Sequence, residues 1–287
     1  MPELPEVEVL RCHLDSFLTN KKVISVDVLK LRTVRPRISK SLKENIDGCL
    51  IKGVERKGKF LWLKLKRSQS KTTFSLIIHL GMTGRLFIQK TNKILPKHAA
   101  FVIQLNRGQL VFKDPRSFGR VTLDTDCLKN LGVDAFSCDF TEEVLSSVML
   151  NTSQCVKDRL MNQKHIAGLG NIYSCEVLHK SKVFPFIKSS LLSLSKLKEL
   201  YEAINLTLRN QINFGLSLDL DFEGEFKNDG LFYYGSKSVR NNKLIEPFRV
   251  YGREGEPCRD CGSIIIRIQK ANRSTYFCAE CQKNNEN

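Results

Sequence analysis

Long apolar runs are absent from this 287-residue chain. A membrane-spanning helix needs roughly 18 or more consecutive apolar residues, and no segment supplies them. No apolar core of a secretory leader follows the charged residues at the start, so a cytoplasmic setting is expected, or a nuclear one in a nucleated cell, with thiols kept reduced. Internal repeats, a collagen-like period and broad low-complexity tracts are also missing, which excludes solenoid, fibrous and wholly disordered classes. Negative charge is scarce: 46 Lys plus Arg stand against 30 Asp plus Glu, a formal net charge of +16.

What is present is 41 % hydrophobic content, enough for a proper core, in a length that suggests two domains. A basic excess of this size favours a polyanion, because neutralised phosphates release condensed counterions. By itself it says nucleic acid or acidic surface and no more.

Four of the ten cysteines carry the strongest spacing signal: Cys258-Arg-Asp-Cys261, sixteen residues, then Cys278-Ala-Glu-Cys281. Two C-x2-C knuckles at this separation suit one tetrahedral zinc ion, with disulfides the lesser alternative in a reducing compartment. Cys12, Cys49, Cys127, Cys138, Cys155 and Cys175 lack paired spacing and are expected to be buried thiols.

The chain begins Met1-Pro2-Glu3-Leu4-Pro5-Glu6. Removal of one methionine would leave Pro2 as a secondary amine, partly unprotonated near neutrality and able to attack an electrophilic carbon. The plain alternative is an ordinary start with Pro5 tolerated in a first helical turn. Leu4, Val7, Leu10, Leu14 and Phe17 recur at three and four, predicting a helix over residues 3–18 with Pro2 at its N-terminal end. From about 22 to 124 short β-rich runs follow at 23–28, 50–54, 60–65, 74–78, 101–105 and 110–112, as in a sandwich or barrel. Helical patterns occupy about 125–150 and then continue to about 213. Residues 215–248, rich in Gly, Asn, Asp and Lys, read as a long mobile loop ahead of the cysteines.

Several turns carry candidate residues. Lys59 follows Gly58 between two strand-like runs and is expected at a hairpin edge, pointing out of the sheet; a plain surface lysine is the alternative. His79-Leu80-Gly81-Met82 ends a strand in a turn that would expose Met82 as a wedge between bases, although core methionine is commoner. Asp114-Pro115-Arg116-Ser117-Phe118-Gly119 places an arginine and an aromatic two residues apart, suited to filling a vacated base position; Phe118 has an equal place in a core. Gly168-Leu169-Gly170-Asn171 offers close backbone approach and a helix start to a phosphate. Lys157 faces solvent or nucleic acid, and Arg273 would project from the tip of a metal-rigidified hairpin toward a minor groove.

Taken in order, Met1–Glu8, His79–Met82, Asp114–Gly119, Gly168–Tyr173 and Tyr251–Cys281 resemble the bacterial formamidopyrimidine-DNA glycosylases across nearly the whole chain. Leu4 and the intact four-cysteine finger fit this branch better than endonuclease VIII, which usually carries glycine at the position of Leu4. The resemblance implies an α+β architecture. An N-terminal β-sandwich with a catalytic N-terminal helix is expected over 1–135. A helix-two-turn-helix domain is expected over 136–287, including a lesion-cap loop at about 215–248 and a zinc β-hairpin at about 250–284.

The same resemblance implies a monomer acting on damaged double-stranded DNA in the cleft between the domains, with the damaged nucleotide flipped out. Pro2 would attack C1′ and expel an oxidised purine such as 8-oxoguanine or a formamidopyrimidine, and β- and δ-elimination would then cut the strand. Glu3 would shuttle protons and Glu6 position the sugar. Lys59, Asn171 and Arg273 match phosphate-binding positions, Met82, Arg116 and Phe118 a void-filling triad, and Lys157 a basic residue facing the lesion. One structural Zn2+ would sit on Cys258, Cys261, Cys278 and Cys281. The sequence departs from the family at Gly215-Leu216-Ser217-Leu218-Asp219, His98-Ala99-Ala100 and Gly132-Val133-Asp134-Ala135, of which the first bears on lesion choice. An endonuclease VIII-like preference for oxidised pyrimidines and a non-catalytic binder of damaged DNA are the alternatives.

Overall fold

Leu4, Val7, Leu10 and Leu14 are wholly buried, and this inward stripe seats helix α1 (Leu4–Leu18) against the protein. The structure, a computed structural model, describes residues 2–35, 39–67, 72–91, 93–218, 248–270 and 272–283. The chain divides into two units, one of them containing Met1–Lys129 and the other Asn130–Asn213 with Glu246–Asn287.

The first unit holds the sandwich. After α1 come β1 (Val23–Val28), β2 (Val34–Arg35), α2 (Ser39–Ile46), β3 (Leu50–Lys57), β4 (Phe60–Lys66), β5 (Thr73–His79), β6 (Arg85–Gln89), β7 (Ala99–Leu105), β8 (Gln109–Lys113), β9 (Arg120–Thr122) and α3 (Asp126–Lys129). They form a four-stranded sheet in the order β1-β7-β8-β6 and a five-stranded sheet in the order β2-β9-β5-β4-β3. Strand β4 shows why: Leu61, Leu63 and Leu65 alternate inward while Phe60, Trp62, Lys64 and Lys66 stay half-buried. Two side chains of α1 fasten it to β3, since the Asp15 carboxylate accepts the Val54 N–H at 2.8 Å and the Glu8 carboxylate accepts Arg56 Nε at 2.7 Å.

The second unit is mainly helical, with β10 (Val133–Asp134), α4 (Glu142–Leu150), α5 (Val156–Met161), β11 (Ile166–Ala167), α6 (Asn171–Lys180), α7 (Leu194–Ser217) and the hairpin β12 (Ile265–Lys270) and β13 (Arg273–Cys278). Val133 and Asp134 pair in parallel with Ile166 and Ala167, which ties the segment just after Lys129 into this unit.

Three expectations are corrected. Gly215, Leu216 and Ser217 complete the last turn of α7 instead of opening a loop, and residues 219–247 of that expected loop lie outside the described residues. A glycine inside a helix costs only about 1 kcal/mol, which the rest of a 24-residue helix can carry. Of the cysteines outside the metal set, Cys49 and Cys175 are buried, but Cys12, Cys127 and Cys155 are only partly so and Cys138 is exposed. Arg85–Gln89 is a further strand, β6, which the sequence patterns leave inside a turn-rich segment.

Candidate functional site

The N-terminus of α1 is built around two acids. Glu3 is the N-cap residue, and its N–H donates to Glu6 Oε2 at 2.7 Å while the Glu3 side chain accepts in return from the first-turn backbone. This reciprocal capping box satisfies two of the orphan donors of the helix. Pro2, Glu3 and Glu6 are all buried, with Glu3 only 1 % exposed. Pro2 therefore stands immediately ahead of a helix N-terminus with two carboxylates adjoining it.

Strand register gathers the other candidates of the first unit at one end of the five-stranded sheet. Phe60 pairs with His79, and His79 pairs with Arg120, so the start of β4, the end of β5 and the start of β9 share one row. Lys59 precedes that row, the turn of Met82 follows it, and the turn of Arg116 and Phe118 leads into it. A two-residue connection, Gly58-Lys59, joins β3 to β4, with Gly58 at φ 56°, where a side chain would be strained. Arg56, bonded to Glu8, also donates to the Gly58 carbonyl at 2.9 Å and holds this connection to α1. The expected hairpin is present, but Lys59 is buried and does not point freely out of the sheet.

His79 belongs to this row although the sequence motif drew attention only to Met82. Its ring lies 4.6 Å from that of Phe60, and its Nδ1 accepts the Gly81 N–H at 3.2 Å, which leaves the proton on Nε2. Burial, together with the positive charges of Lys59 and Arg120, pushes its pKa down to about 4, so the ring is neutral near pH 7. The signal in the sequence was available: a histidine closing a strand before a glycine turn, beside a lysine one strand away.

The turn of Met82 and the turn of Arg116 and Phe118 are locked together by Asp114. This wholly buried carboxylate accepts the Gly119 N–H at 2.7 Å through Oδ2 and the Thr83 hydroxyl at 3.3 Å through Oδ1, and the Asp114 carbonyl accepts Lys30 Nζ at 2.8 Å. Gly81 has φ 66°, and a Cβ there would lie 2.6 Å from the Phe118 carbonyl carbon, so only glycine permits this approach. On this frame Met82 is 40 % and Phe118 50 % exposed, with the Arg116 guanidinium 4.7 Å above the Phe118 ring. All three are exposed, which decides against the core alternatives for Met82 and Phe118.

The second unit carries its own cluster. Lys157 is 3 % exposed, and its Nζ donates to Asn171 Oδ1 at 2.7 Å, to the Thr275 hydroxyl at 2.6 Å and to the Ser274 carbonyl at 3.3 Å. Asn171 Nδ2 donates to the same Ser274 carbonyl at 2.8 Å. Burial lowers the Lys157 pKa from its ordinary value. Lys157 does not face solvent: its Nζ is bonded within the unit and braces α5, the start of α6 and β13. Arg273, one residue before Ser274, is exposed at the hairpin tip. Glu176 on α6 accepts the N–H groups of Arg249, Val250 and Tyr251 at 2.8, 3.0 and 2.8 Å and so fixes the segment leading into the hairpin.

The sulfur atoms of Cys258, Cys261, Cys278 and Cys281 all lie within 4.8 Å of one another. Four thiolates about 2.3 Å from a central zinc would be about 3.8 Å apart. The Cys258 to Cys281 and Cys261 to Cys278 separations of 3.9 and 3.4 Å fit that tetrahedron. A set of four thiolates leaves no open position for substrate, so a zinc ion here is structural.

Three family descriptions match the chain: the formamidopyrimidine-DNA glycosylase N-terminal domain over residues 1–121, the formamidopyrimidine-DNA glycosylase H2TH domain over 131–219, and a zinc finger found in those glycosylases and in isoleucyl-tRNA synthetase over 255–284. The formamidopyrimidine-DNA glycosylase of Vesicomyosocius okutanii is 33 % identical over 98 % of this chain and 100 % of its own, and that of Pelotomaculum thermopropionicum is 35 % identical over 99 % of each. Among solved structures, the Lactococcus lactis glycosylase bound to DNA containing an abasic site superposes with a TM-score of 0.82 at 30 % identity, covering 98 % of this chain and 100 % of that one. The same enzyme bound to DNA containing an oxidised pyrimidine gives 0.83 at 31 % identity, covering 99 % and 100 %.

Proposed function

The chain belongs to the formamidopyrimidine-DNA glycosylase family, and from that premise we propose that Pro2 is the nucleophile of its base excision and strand cleavage. It is a bifunctional DNA glycosylase and abasic-site lyase of base excision repair, acting on damaged double-stranded DNA. The observation that carries the assignment of Pro2 is its place directly before the Glu3 and Glu6 capping box, buried at the end of α1.

The Pro2 nitrogen, freed by loss of Met1, bonds to C1′ of a flipped nucleotide as the glycosidic bond breaks and the base departs with the bonding electrons. Glu3 supplies a proton to the leaving side and later removes one, as a carboxylate next to the nucleophile can. Once the nitrogen has given up its own proton, protonation of O4′ breaks the C1′–O4′ bond, the nitrogen lone pair closes onto C1′, and the resulting iminium acidifies C2′. Loss of a C2′ proton expels the 3′ phosphate, and a second elimination expels the 5′ phosphate, leaving a one-nucleotide gap. Glu6, held by the Glu3 N–H, positions the sugar. Lys59 serves the reacting sugar and its phosphate from the hairpin between β3 and β4.

Met82, Arg116 and Phe118 fill the space left by the flipped nucleotide, with the apolar pair entering the stack and the guanidinium meeting the opposite strand. Asn171 and Arg273 hold phosphates, and Lys157 supports both from beneath. Cys258, Cys261, Cys278 and Cys281 hold the zinc, which supplies rigidity to the hairpin that presents Arg273. In this reading the N-terminal domain serves catalysis and the helical domain with its zinc hairpin serves DNA binding. Oxidised purines are the proposed substrates, with oxidised pyrimidines the second reading, favoured by the departure at Gly215–Asp219 and by the pyrimidine-containing complex of the Lactococcus relative.

Parallel single-turnover assays on duplexes carrying 8-oxoguanine, a formamidopyrimidine or an oxidised pyrimidine separate the two readings. Faster release of the purine lesions is expected; release of the pyrimidine alone would replace that assignment.

A further inference from the structure

The buried histidine of α6 has no part in the reaction, yet it reaches the metal site. His179 is 1 % exposed, and its Nε2 lies 3.4 Å from Cys258 Sγ. The only other hydrogen-bonding atom recorded near that nitrogen among the described residues is Asp260 Oδ2, at 3.8 Å. On the far side of the ring, Nδ1 is buried with no partner among the described residues. A buried N–H without an acceptor costs more than a buried lone pair without a donor, so the proton belongs on Nε2, where sulfur and carboxylate stand.

We propose that His179 donates a hydrogen bond from Nε2–H to the metal-bound thiolate of Cys258 and is thereby part of the zinc site, acting as a brace that slows release of the ion. Four thiolates on one divalent cation leave a net charge of −2, and on the buried side of the site, at Cys258 and Cys278, N–H donors must disperse it. Cys258 already receives the Asp260 N–H at 3.5 Å, and His179 adds a second donor from a different element. That element matters. Helix α6 opens at Asn171, whose Nδ2 holds the Ser274 carbonyl, and His179 sits near its other end, so one rigid helix grips both the metal knuckle and the hairpin strand that follows Arg273. The inference rests on the four-cysteine site holding zinc.

The test uses the full chain. Zinc content is measured first; a wild-type protein without one bound ion would overturn the zinc reading itself. With zinc present, transfer to a chromogenic chelator is followed for the wild type, His179→Phe and His179→Gln, together with the thiolate-to-metal absorption bands of the cobalt-substituted forms. Loss of the donor in the phenylalanine variant is expected to speed release by about tenfold or more and to shift the cobalt bands, with the glutamine variant, which keeps an N–H, closer to wild type. Unchanged release and unchanged bands, or equal acceleration in both variants, would overturn the proposal. Independently of any variant, protein with labelled histidine and loaded with a magnetically active cadmium isotope should show scalar coupling between the metal and a histidine ring N–H. Absence of that coupling also overturns it.

Discussion

Lys157 Nζ and Asn171 Oδ1 are 2.7 Å apart, and the lysine is almost wholly buried. A cation in that position has its donors engaged by the protein itself. It orients Asn171 and, through Thr275 and Ser274, the strand that begins at Arg273. Lys157→Met should therefore take the lysine donor from Asn171 Oδ1 and the Thr275 hydroxyl, while the Ser274 carbonyl keeps Asn171 Nδ2, at a cost of about 1 to 3 kcal/mol to the second unit. Affinity for an abasic duplex should fall about tenfold, equivalent to about 1.4 kcal/mol, with a smaller change in kcat at saturating DNA. Titration of duplex and single-turnover rates would check this; an unchanged affinity with a lost kcat would return Lys157 to the reaction itself.

Glu3→Gln keeps the size of the N-cap side chain and an acceptor oxygen for the first turn, so folding and DNA binding should be preserved. Base release should fall by about a hundredfold or more, the usual yield of a positioned proton donor, while pre-formed abasic sites are still cut. Comparing glycosylase and lyase rates on the same duplex separates the two steps, and unimpaired release of a damaged purine would remove Glu3 from the proton path.

Asp114→Asn tests the frame beneath the wedge. An amide presents one acceptor where the carboxylate presents two: with its oxygen on the Gly119 N–H its NH2 faces Thr83, whose hydroxyl must turn from donor to acceptor, and both contacts lose a charged acceptor whose bonds are worth about 1.5 to 3 kcal/mol each. Met82 and the Arg116–Phe118 turn should then lose their common alignment. The expected result is weaker binding to abasic duplexes and a smaller effect of the opposite base on excision. Measured opposite-base preferences identical to wild type would mean that each turn holds its shape alone.

Acid should weaken the first unit through His79. The unfolded chain takes up the proton near 6.5, whereas the fold resists it until about 4. Between those values the unfolded state binds more protons, so stability falls as pH drops through the window and the full penalty is reached below it. The groups facing the ring are Lys59 and Arg120, both positive, and neither offsets that penalty. Urea midpoints against pH for wild type and His79→Gln check this: the variant should show a shallower decline between about 6.5 and about 4, and parallel curves would contradict it.

Much of this was legible from the residues. The three-and-four spacing of Leu4, Val7, Leu10 and Leu14 marks α1, alternation marks β4, and the paired C-x2-C knuckles mark the metal set, because each depends on neighbours close in the chain. Turn glycines pointed to an exposed Met82, while Phe118 read as surface or core alike until the structure placed it at the surface. What the sequence left unread depends on distant partners. Lys157 looks like any surface lysine until Ser274 and Thr275, more than a hundred residues on, are seen to receive it. Lys59 sits in the expected hairpin but is buried there, which no neighbour in the sequence announces. Asp114, His79 and His179 carry no motif that names their contacts, and each acquires a role only when two turns, three strand ends or a helix and a metal knuckle come together.

The most direct test is borohydride trapping of the full-length protein on a duplex carrying an oxidised purine, with the adduct located by mass spectrometry. A covalent adduct on the Pro2 nitrogen, with Met1 absent, is the expected result. An adduct on a lysine such as Lys59, or cleavage of the strand with nothing trapped, would contradict the central assignment of Pro2 as the nucleophile.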